Sequence, residues 1–429
     1  MKKSIIIAVL FLVLAGGSLL LLMQNSKYSN DRNRPIQTNT SSSDGSGSKS
    51  TSEFAQTATV TDKEKETIQS KCIEVSRLYQ KIYQNAEKAP SQYWGADDEM
   101  KQETIDEIEN ILSSAGYPVM NSDRVYPDYL QNSDGVYSFW KKVQQGTDAE
   151  TEIWSVLASG ALSYRRLQFR NKTPYCIYAT ASWNKNGELE MNCIEKRKIL
   201  HWNMTYHQDL YYQDLYTDRH WDASVLLRLH PVDKVLYDLN RKYILPIGYQ
   251  NVNLFLLNWS ANNYGNLCFN DLFEYLYRVE NHNYLSASDY PYYNDPYPHM
   301  AIPAELFEKT ILPYFDIPIN EFRKRALYDA SSKTYPWQDI GCENILYYPS
   351  LIPEVTSYTA IDKNTIKLTV NVMCLDYHAD RLFAHEVTIR TLGNGKYQYI
   401  GNKITYKGDV EIPSAQARIP AQRFSEERK

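Results

Sequence analysis

The amino-acid sequence predicts an α+β fold in which an N-terminal transmembrane helix is followed by helices packed on two antiparallel β-meanders. An uncharged apolar run from Ser4 to Met23 predicts the transmembrane helix. Beyond residue 62, segments whose apolar residues recur every three or four positions are grouped apart from segments in which apolar and polar residues alternate. The first pattern is typical of helices and the second of half-buried strands, and their separation into runs is typical of an α+β fold.

The N-terminal run is long enough to cross a membrane. At about 1.5 Å per residue in a helix, Ser4–Met23 would span about 30 Å, the thickness of a bilayer core. A cleaved signal peptide is the alternative, because Ala15-Gly16-Gly17 has the form of a small-residue cleavage site. The apolar run continues through Ser18–Met23, however, beyond the point where cleavage would occur. We therefore predict an uncleaved signal anchor over residues 1–24, with secretion after cleavage as the alternative.

Charges around the anchor predict its orientation. Lys2 and Lys3 precede the apolar run and favour an N-terminus on the cytoplasmic side. Lys27, Arg32 and Arg34 follow the run, but long segments are translocated largely regardless of such charges. We expect a single-pass protein of the cell membrane with its N-terminus inside and its C-terminal domain extracytoplasmic.

Residues 25–61 are predicted to be a disordered linker. They are rich in Ser, Thr and Gly and contain too few apolar side chains to offset the entropy lost on folding. The remaining sequence is long enough for one large domain or two packed domains. We divide it into a helical N-terminal region plus a β-meander at 62–260, helices plus a second β-meander at 261–412, and a polar tail at 413–429.

Local patterns predict the individual elements. Thr61 and Glu64 form a capping box ahead of an apolar stripe, which marks the start of the first helix. The predicted helices lie at 62–88, 98–115, 134–145, 231–244, 270–279 and 303–314. The predicted strands lie within 161–218, where 173–183 and 188–194 form a hairpin, and at 365–374, 383–389 and 397–405.

The predicted hairpin also bears on disulfide pairing. The chain has six cysteines and no C-x-x-C motif, so neither a zinc site nor a redox motif is indicated. A turn at Asn184–Gly187 would set Cys176 opposite Lys196 and Cys193 opposite Ala179. The two thiols would then lie on opposite faces of the sheet and could not bond. We expect mostly free, buried thiols.

Composition and motifs exclude several functions. The chain has 46 Lys+Arg against 51 Asp+Glu, and this negative balance predicts no nucleic-acid partner. Short basic clusters such as Arg165-Arg166 are interpreted as solvated polar faces. The motifs G-x-S-x-G, H-E-x-x-H and G-x-G-x-x-G do not occur, so we predict no catalytic residues, no metal site and no cofactor. An enzyme is the less favoured interpretation and stays open, because unplaced carboxylate pairs would suit a glycosidase.

The densest group of ionisable side chains is His378, Asp380, His385 and Glu386. In the predicted strand, His385 lies on the apolar face and Glu386 on the opposite face, so the two side chains do not converge. We interpret His385 as a core histidine that needs a buried partner, and not as part of a metal or acid–base site.

Tyrosine is the compositional outlier, with 36 residues. Tyrosines concentrate at 206–216 and at 290–297, and the second segment is Pro-rich and predicted to be a loop. A tyrosine side chain combines rigid apolar area with a polar end, which suits recognition of glycans or proteins, but tyrosine is also an ordinary strand residue. The candidate binding residues are Tyr290, Tyr292, Tyr293 and Tyr297.

Four stretches of the sequence, Gly248–Leu256, Asn270–Arg278, Ile302–Glu308 and Asp380–Arg390, are similar to an uncharacterised family. The family comprises exported or membrane-anchored proteins of clostridial-type, low-GC Gram-positive bacteria, and the resemblance spans residues 134–412. It implies a location in the bacterial cell envelope. It implies no activity and no site residues, because the family is a domain of unknown function. The C-terminal helices and meander also resemble the cone-shaped sheets of NTF2-like proteins.

These observations predict a non-enzymatic, membrane-tethered extracytoplasmic module that binds a ligand or partner in the bacterial cell envelope. The expected partner is a cell-wall glycan or an envelope protein. Two alternatives stay open: a hydrolase acting on cell-wall glycan or peptide, and an accessory subunit of an envelope complex.

Overall fold

A computed structural model describes most of the chain after residue 58. The described residues are 59–91, 97–123, 125–215, 222–294, 297–339, 351–409 and 417–419. The predicted anchor at Ser4–Met23 and nearly all of the predicted linker lie outside them. Within these ranges, no helix is long and apolar enough to cross a membrane.

The chain divides into two compact units between Val232 and Asp233. The sequence analysis placed residues 233–260 in the first region. In the structure, Tyr249 and Phe255 of this segment are buried in the core of the second unit. Residues 233–260 therefore help to build the second unit.

Helices and strands occur in both units. The α-helices of the described residues are α1 (Asp62–Arg77), α2 (Gln80–Asn85), α3 (Gln102–Ser114), α4 (Asp134–Gln144), α5 (Lys234–Tyr243), α6 (Phe269–Asn281), α7 (Ala304–Ile311) and α8 (Ile319–Arg325). Short 3₁₀ helices lie at Ala287–Asp289 and Leu312–Tyr314.

The strands of the first unit are β1 (Lys88–Ala89), β2 (Glu99–Met100), β3 (Val119–Asn121), β4 (Tyr129–Gln131), β5 (Ala149–Val156), β6 (Leu162–Arg170), β7 (Thr173–Trp183), β8 (Leu189–Met204), β9 (Leu210–Leu215) and β10 (Asp222–Leu227). The strands of the second unit are β11 (Trp259–Ser260), β12 (Tyr292–Tyr293), β13 (His299–Pro303), β14 (Thr334–Trp337), β15 (Leu351–Asp362), β16 (Thr365–Cys374), β17 (Ala379–Gly393) and β18 (Lys396–Lys407).

The main sheet of the first unit has eight strands in the order β10-β9-β8-β7-β6-β5-β3-β4. Its neighbouring strands are antiparallel except β3 and β5, which are parallel. The two edge strands approach each other, because the Leu130 backbone N–H in β4 donates to the Arg228 carbonyl just after β10, at 2.7 Å. The sheet is therefore nearly closed and barrel-like.

Helices cover both faces of this sheet. One core cluster contains α4 side chains together with residues of β4 through β10, among them Leu130, Leu167 and Leu227. We call the face of the sheet that carries this cluster the inner face. On the other side, α1 and α3 pack against Trp154 and Tyr164.

The second unit contains a five-stranded antiparallel sheet in the order β11-β18-β17-β16-β15 and a three-stranded sheet in the order β12-β13-β14. Its core is strongly aromatic. Phe307 of α7 stacks on Phe273 of α6 with ring centroids 4.6 Å apart, and on Tyr335 of β14 at 4.3 Å. Aromatic packing thus joins the helices to the smaller sheet.

The predicted fold class is wrong. The structure is a mixed α/β fold whose main sheet nearly closes into a barrel, whereas the sequence analysis expected two antiparallel meanders, the second of them NTF2-like. Strands β3 and β4 have three residues each, too few to show an alternating pattern. In β5, Ile153 and Trp154 point to opposite faces and are both buried, so alternation is lost there as well.

The predicted register of the β7–β8 hairpin is also wrong by one residue. Cys176 lies opposite Arg197, and Cys193 lies opposite Thr180, with a register shift beyond Thr180. Both thiols therefore lie on the inner face, but four strand positions apart, a distance of roughly 13 Å. This separation keeps them from pairing, and the five described cysteines are all free. Cys342 lies outside the described residues.

Candidate functional site

The four tyrosines predicted as binding residues lie around the edge strand β12 of the three-stranded sheet. Tyr292 and Tyr293 are 58% and 51% exposed. They are consecutive residues of one strand and so point to opposite sides. The Tyr292 hydroxyl donates to Asn294 at 2.8 Å. Tyr290 and Tyr297 are half-buried.

A single aromatic platform would need these rings on one face. The Tyr293 ring instead stacks on His299, with centroids 5.6 Å apart, while Tyr290 packs against the core of the second unit. The four tyrosines are thus close in sequence, but their rings do not form one flat surface. Their predicted role in binding stays a prediction.

The interpretation of His385 as a core histidine is confirmed. Its side chain is fully buried, with Nδ1 2.6 Å from Asn402 Oδ1 and Nε2 2.7 Å from the Tyr249 hydroxyl. Glu386 points to the other face and pairs with Lys367 at 3.2 Å. In the described part of the chain, no group of three or more His, Cys, Asp or Glu side chains is arranged to hold a metal ion.

A second group of polar residues lies on the inner face of the barrel-like sheet, and the sequence analysis did not identify it. We call it the inner cluster, and it consists of Ser163 and Arg165 of β6, Tyr178 of β7, Arg197 of β8 and Asp214 of β9. Arg165 lies directly opposite Tyr178 across the β6–β7 pair. Ser163 is two residues before Arg165 and therefore on the same face.

Contacts between these side chains run across four neighbouring strands. The guanidinium carbons of Arg165 and Arg197 lie 5.4 and 4.9 Å from the centre of the Tyr178 ring, within the range of cation–π attraction. Arg197 donates through Nε and Nη2 to Glu195, at 3.0 and 2.6 Å. Its Nη1 lies 3.7 Å from Oδ2 of Asp214. Arg197 is therefore engaged by carboxylates on both sides.

Three groups of the inner cluster are not satisfied by the described residues. Asp214 is 2% exposed, and its Oδ1 accepts no hydrogen bond from them. Ser163 is 3% exposed, and its hydroxyl likewise has no partner among them. Arg165 is half-buried and forms neither a hydrogen bond nor an ion pair with any described residue. Buried polar groups are normally hydrogen-bonded, so two unsatisfied buried atoms on one face, close to an unpaired arginine, make the inner cluster the candidate site.

Electrostatics at the cluster favour binding over nucleophilic chemistry. Burial raises the pKa of Asp214 above its ordinary value, although Arg197 and Arg165 oppose the shift. Burial also raises the pKa of the nearby Cys176 thiol to about 12, and the Asp214 carboxylate adds to the effect. A thiol with such a pKa stays protonated at neutral pH and is a poor nucleophile.

The first unit has surface hollows on α3, beside Asp106 and Asn110, and between Tyr83 and the turn at Asn186. Neither is lined by a residue of the inner cluster.

The sequence model of DUF6070, a family of unknown function, matches residues 65–418. The chain belongs to this family. No curated protein and no solved structure matches it. The DUF6070 match contains the whole inner cluster, begins inside α1 and ends at Arg418. The bacterial origin and export implied by the earlier resemblance stay expectations.

Proposed function

We propose that this protein is a binding module whose inner cluster holds a small ligand through an anionic group. The observation that carries the proposal is Arg165, a half-buried guanidinium without a carboxylate partner among the described residues. Removing a charged group from water without pairing it is costly, and a bound anion would offset that cost. Arginine also presents a fork of donors that matches a carboxylate or phosphate.

The position of the site supports the same proposal. The mouths and interiors of β-barrels are common ligand sites, and a barrel of eight strands is wide enough for one small ligand. Here the apolar part of the inner face packs against α4, while Ser163, Arg165 and Asp214 supply polar groups. A mostly apolar wall with a few convergent polar groups is typical of small-molecule sites.

The proposal is tested by removing the cation. The melting temperature of the purified full-length protein is measured with acetate, formate and phosphate, against sodium chloride at equal ionic strength. We expect a rise with at least one anion, since a ligand at 100 times its Kd adds about 2.7 kcal/mol to stability. Arg165→Met keeps the apolar stem of the side chain and removes its charge. We expect it to weaken the binding of that anion by about 30-fold or more.

The matched control is Arg170→Met, on the same strand. Arg170 is exposed and pairs with Glu150 at 2.8 Å, away from the inner cluster. This variant keeps the wild-type response to anions. An anion response that survives in Arg165→Met would overturn the proposed function, as would no response to any of the three anions in the wild type.

We further propose that the module is tethered to the cell membrane, with its N-terminus inside and its folded part extracytoplasmic. The uncharged run Ser4–Met23 after Lys2 and Lys3 supports this location. Mass spectrometry of the N-terminal peptide from the membrane fraction of expressing cells should find residues 1–24 retained, and protease added to intact protoplasts should remove the folded part. A mature chain that begins after Gly17 in the medium would favour the secreted alternative.

A further inference from the structure

A glutamate is buried between α3 and the end of β3. Glu109 of α3 is fully buried, and both of its carboxyl oxygens accept from the Ser122 backbone N–H, at 3.1 Å. The Ser122 hydroxyl also donates to Oε1, and Asn121 Nδ2 lies 3.4 Å from Oε2. Gln102 of the same helix donates to the Ser122 carbonyl at 2.7 Å. Polar side chains of α3 therefore hold the chain where it leaves β3.

The segment that Glu109 holds lies where the barrel-like sheet closes. Strand β3 pairs with β4, and Asn121 is opposite Tyr129 in that pair. One residue further along β4, the Leu130 backbone N–H donates to the Arg228 carbonyl and joins the two edges of the sheet. We call β3, β4 and the connection between them the seam. The contacts of Glu109 thus attach the seam to α3.

No cation balances the charge that an ionised Glu109 carries. Among the described residues, no Lys, Arg or His forms an ion pair with it. The charges that act on it are the carboxylates of Asp106, about one turn earlier on α3, and of Asp128, just before β4. Burial raises the pKa of Glu109 from 4.5 to about 7, the two carboxylates add to the rise, and the hydrogen bonds from Ser122 oppose it. The closed seam therefore favours the neutral carboxyl.

We propose that protonation of Glu109 controls local opening of the seam. The neutral carboxyl holds the end of β3 on α3. Loss of the proton leaves a buried carboxylate without a cation, which favours an open form in which the side chain reaches water. Because α3 packs on the other side of the sheet from the inner cluster, this control does not involve the arginines of that cluster.

The direction of the pH dependence follows from the two pKa values of Glu109. In the open form the pKa returns to its ordinary 4.5, whereas in the closed form it is about 7. Between these values the closed seam binds a proton that the open seam does not bind. The stabilisation of the closed seam is therefore complete below pH 4.5 and is lost as the pH rises through 7.

Hydrogen exchange tests this control on the full-length protein. Exchange of the backbone amides is measured by mass spectrometry at pH 6 and pH 8, and each rate is divided by that of the same peptide in the unfolded chain. We expect the opening of peptides from 119–131 to increase about tenfold between the two pH values, since the closed seam loses its proton over this range. Strands β7 and β8, in the middle of the sheet, should show no such increase.

Two variants on α3 separate the Glu109 charge from other causes. Glu109→Gln keeps the size and the hydrogen-bonding capacity of the side chain but carries no charge, so the tenfold change should disappear. Glu107→Gln, at an exposed carboxylate of the same helix, should keep it. Wild-type exchange that is equal at the two pH values would overturn the proposal, as would a tenfold change that survives in Glu109→Gln. An equal increase in β7 and β8 would also overturn it, because Glu109 would then affect only the unfolding of the whole unit.

Carbon-13 NMR of the wild type gives a result even where Glu109→Gln does not fold. In protein labelled at the glutamate side-chain carboxyls, one resonance should titrate near pH 7, apart from those of the exposed glutamates. A spectrum in which every glutamate titrates below about pH 5.5 would contradict the proposal.

Discussion

His385 illustrates how a buried side chain has its proton position set by its neighbours. Asn402 Nδ2 donates to the carbonyls of Phe255 and Leu257, at 3.2 and 2.9 Å. Its Oδ1 therefore faces His385 as an acceptor, so His385 Nδ1 carries the proton. Nε2 is left with a lone pair and accepts from the Tyr249 hydroxyl. The neutral imidazole satisfies every group, and a second proton on the ring would remove the acceptor of the Tyr249 hydroxyl.

Acid should destabilise the second unit through this histidine. Burial lowers the pKa of His385 from 6.5 to about 4, while the bond to Asn402 opposes the shift. Between pH 6.5 and pH 4 the unfolded chain binds a proton at this histidine and the folded chain does not. The free energy of unfolding is therefore unaffected above pH 6.5. It then falls by about 3 kcal/mol between pH 6.5 and pH 4. Urea unfolding at pH 7, 5.5 and 4, compared with His385→Gln, measures this contribution.

The control for that measurement is His282→Gln, at an exposed histidine of the second unit, which should keep the wild-type pH dependence. Proton NMR of the wild type gives an independent result, because the His385 ring should show no titration between pH 7.5 and 5. A His385 resonance that titrates near pH 6.5, or a His385→Gln protein with an unchanged pH profile, would contradict the prediction.

Arg165 and Arg166 show what a short sequence pattern does not predict. The dipeptide Arg165-Arg166 was interpreted as a solvated polar face, and this is wrong. Arg166 is 7% exposed on the outer face, with Nη2 3.9 Å from Glu64, and Arg165 is half-buried on the inner face. Consecutive residues of a strand covered on both sides are both removed from water. Nothing in two adjacent arginines indicates that helices lie above and below them.

In helix α1, the start depends on residues that are close in sequence, whereas the end does not. Its capping box is present as predicted, since Thr61 and Glu64 exchange side-chain to backbone hydrogen bonds. The predicted end at residue 88 is wrong, because α1 ends at Arg77 and α2 begins at Gln80. Between them, Tyr79 leaves helical geometry, and its hydroxyl donates to the distant Gly160 carbonyl at 3.3 Å. The start depends on neighbours in sequence and the break on a tertiary contact.

At the level of the whole chain, a segment near the C-terminus is held by a buried ion cluster. Arg418 Nε donates to Asp271 at 3.0 Å and Nη1 to Glu274 at 2.6 Å. Nη1 also donates to the Gln338 carbonyl at 2.7 Å. Arg418 and Ile419 are both buried, although the sequence assigns them to a polar tail. The last residue of the family match is thus a structural anchor on α6.

Removing Arg418 should therefore cost far more than removing a surface ion pair. Arg418→Met leaves the buried Asp271 carboxylate without its cation, and breaking such a pair costs about 3–5 kcal/mol. Urea unfolding of the full-length protein at pH 7 measures the loss, with Arg390→Met as control. Arg390 pairs with the exposed Asp316 at 3.1 Å, so its loss should cost less than about 1 kcal/mol. Equal losses in the two variants would show that Arg418 contributes no more than a surface pair.

Several features followed from the sequence, because they depend on residues a few positions apart. The capping box of α1 is set by Thr61 and Glu64. Strand β16 has the predicted bounds, Thr365–Cys374, and the core position of His385 follows from alternation in β17. The uncharged run Ser4–Met23 determines that a membrane anchor is expected, whatever the fold of the rest. These patterns can be read from the sequence because one face of the element is buried and the other is exposed to water.

Only the tertiary structure decided the closure of the main sheet and the content of the inner cluster. The Leu130–Arg228 bond joins residues nearly a hundred positions apart, and the residues of the inner cluster share one face only because four strands lie side by side. A one-residue register shift in the β7–β8 hairpin was enough to place Cys193 on the inner face. A strand's side chains alternate with period two, so each register choice reassigns a whole face. That choice is made by packing against residues distant in sequence, which no local pattern records.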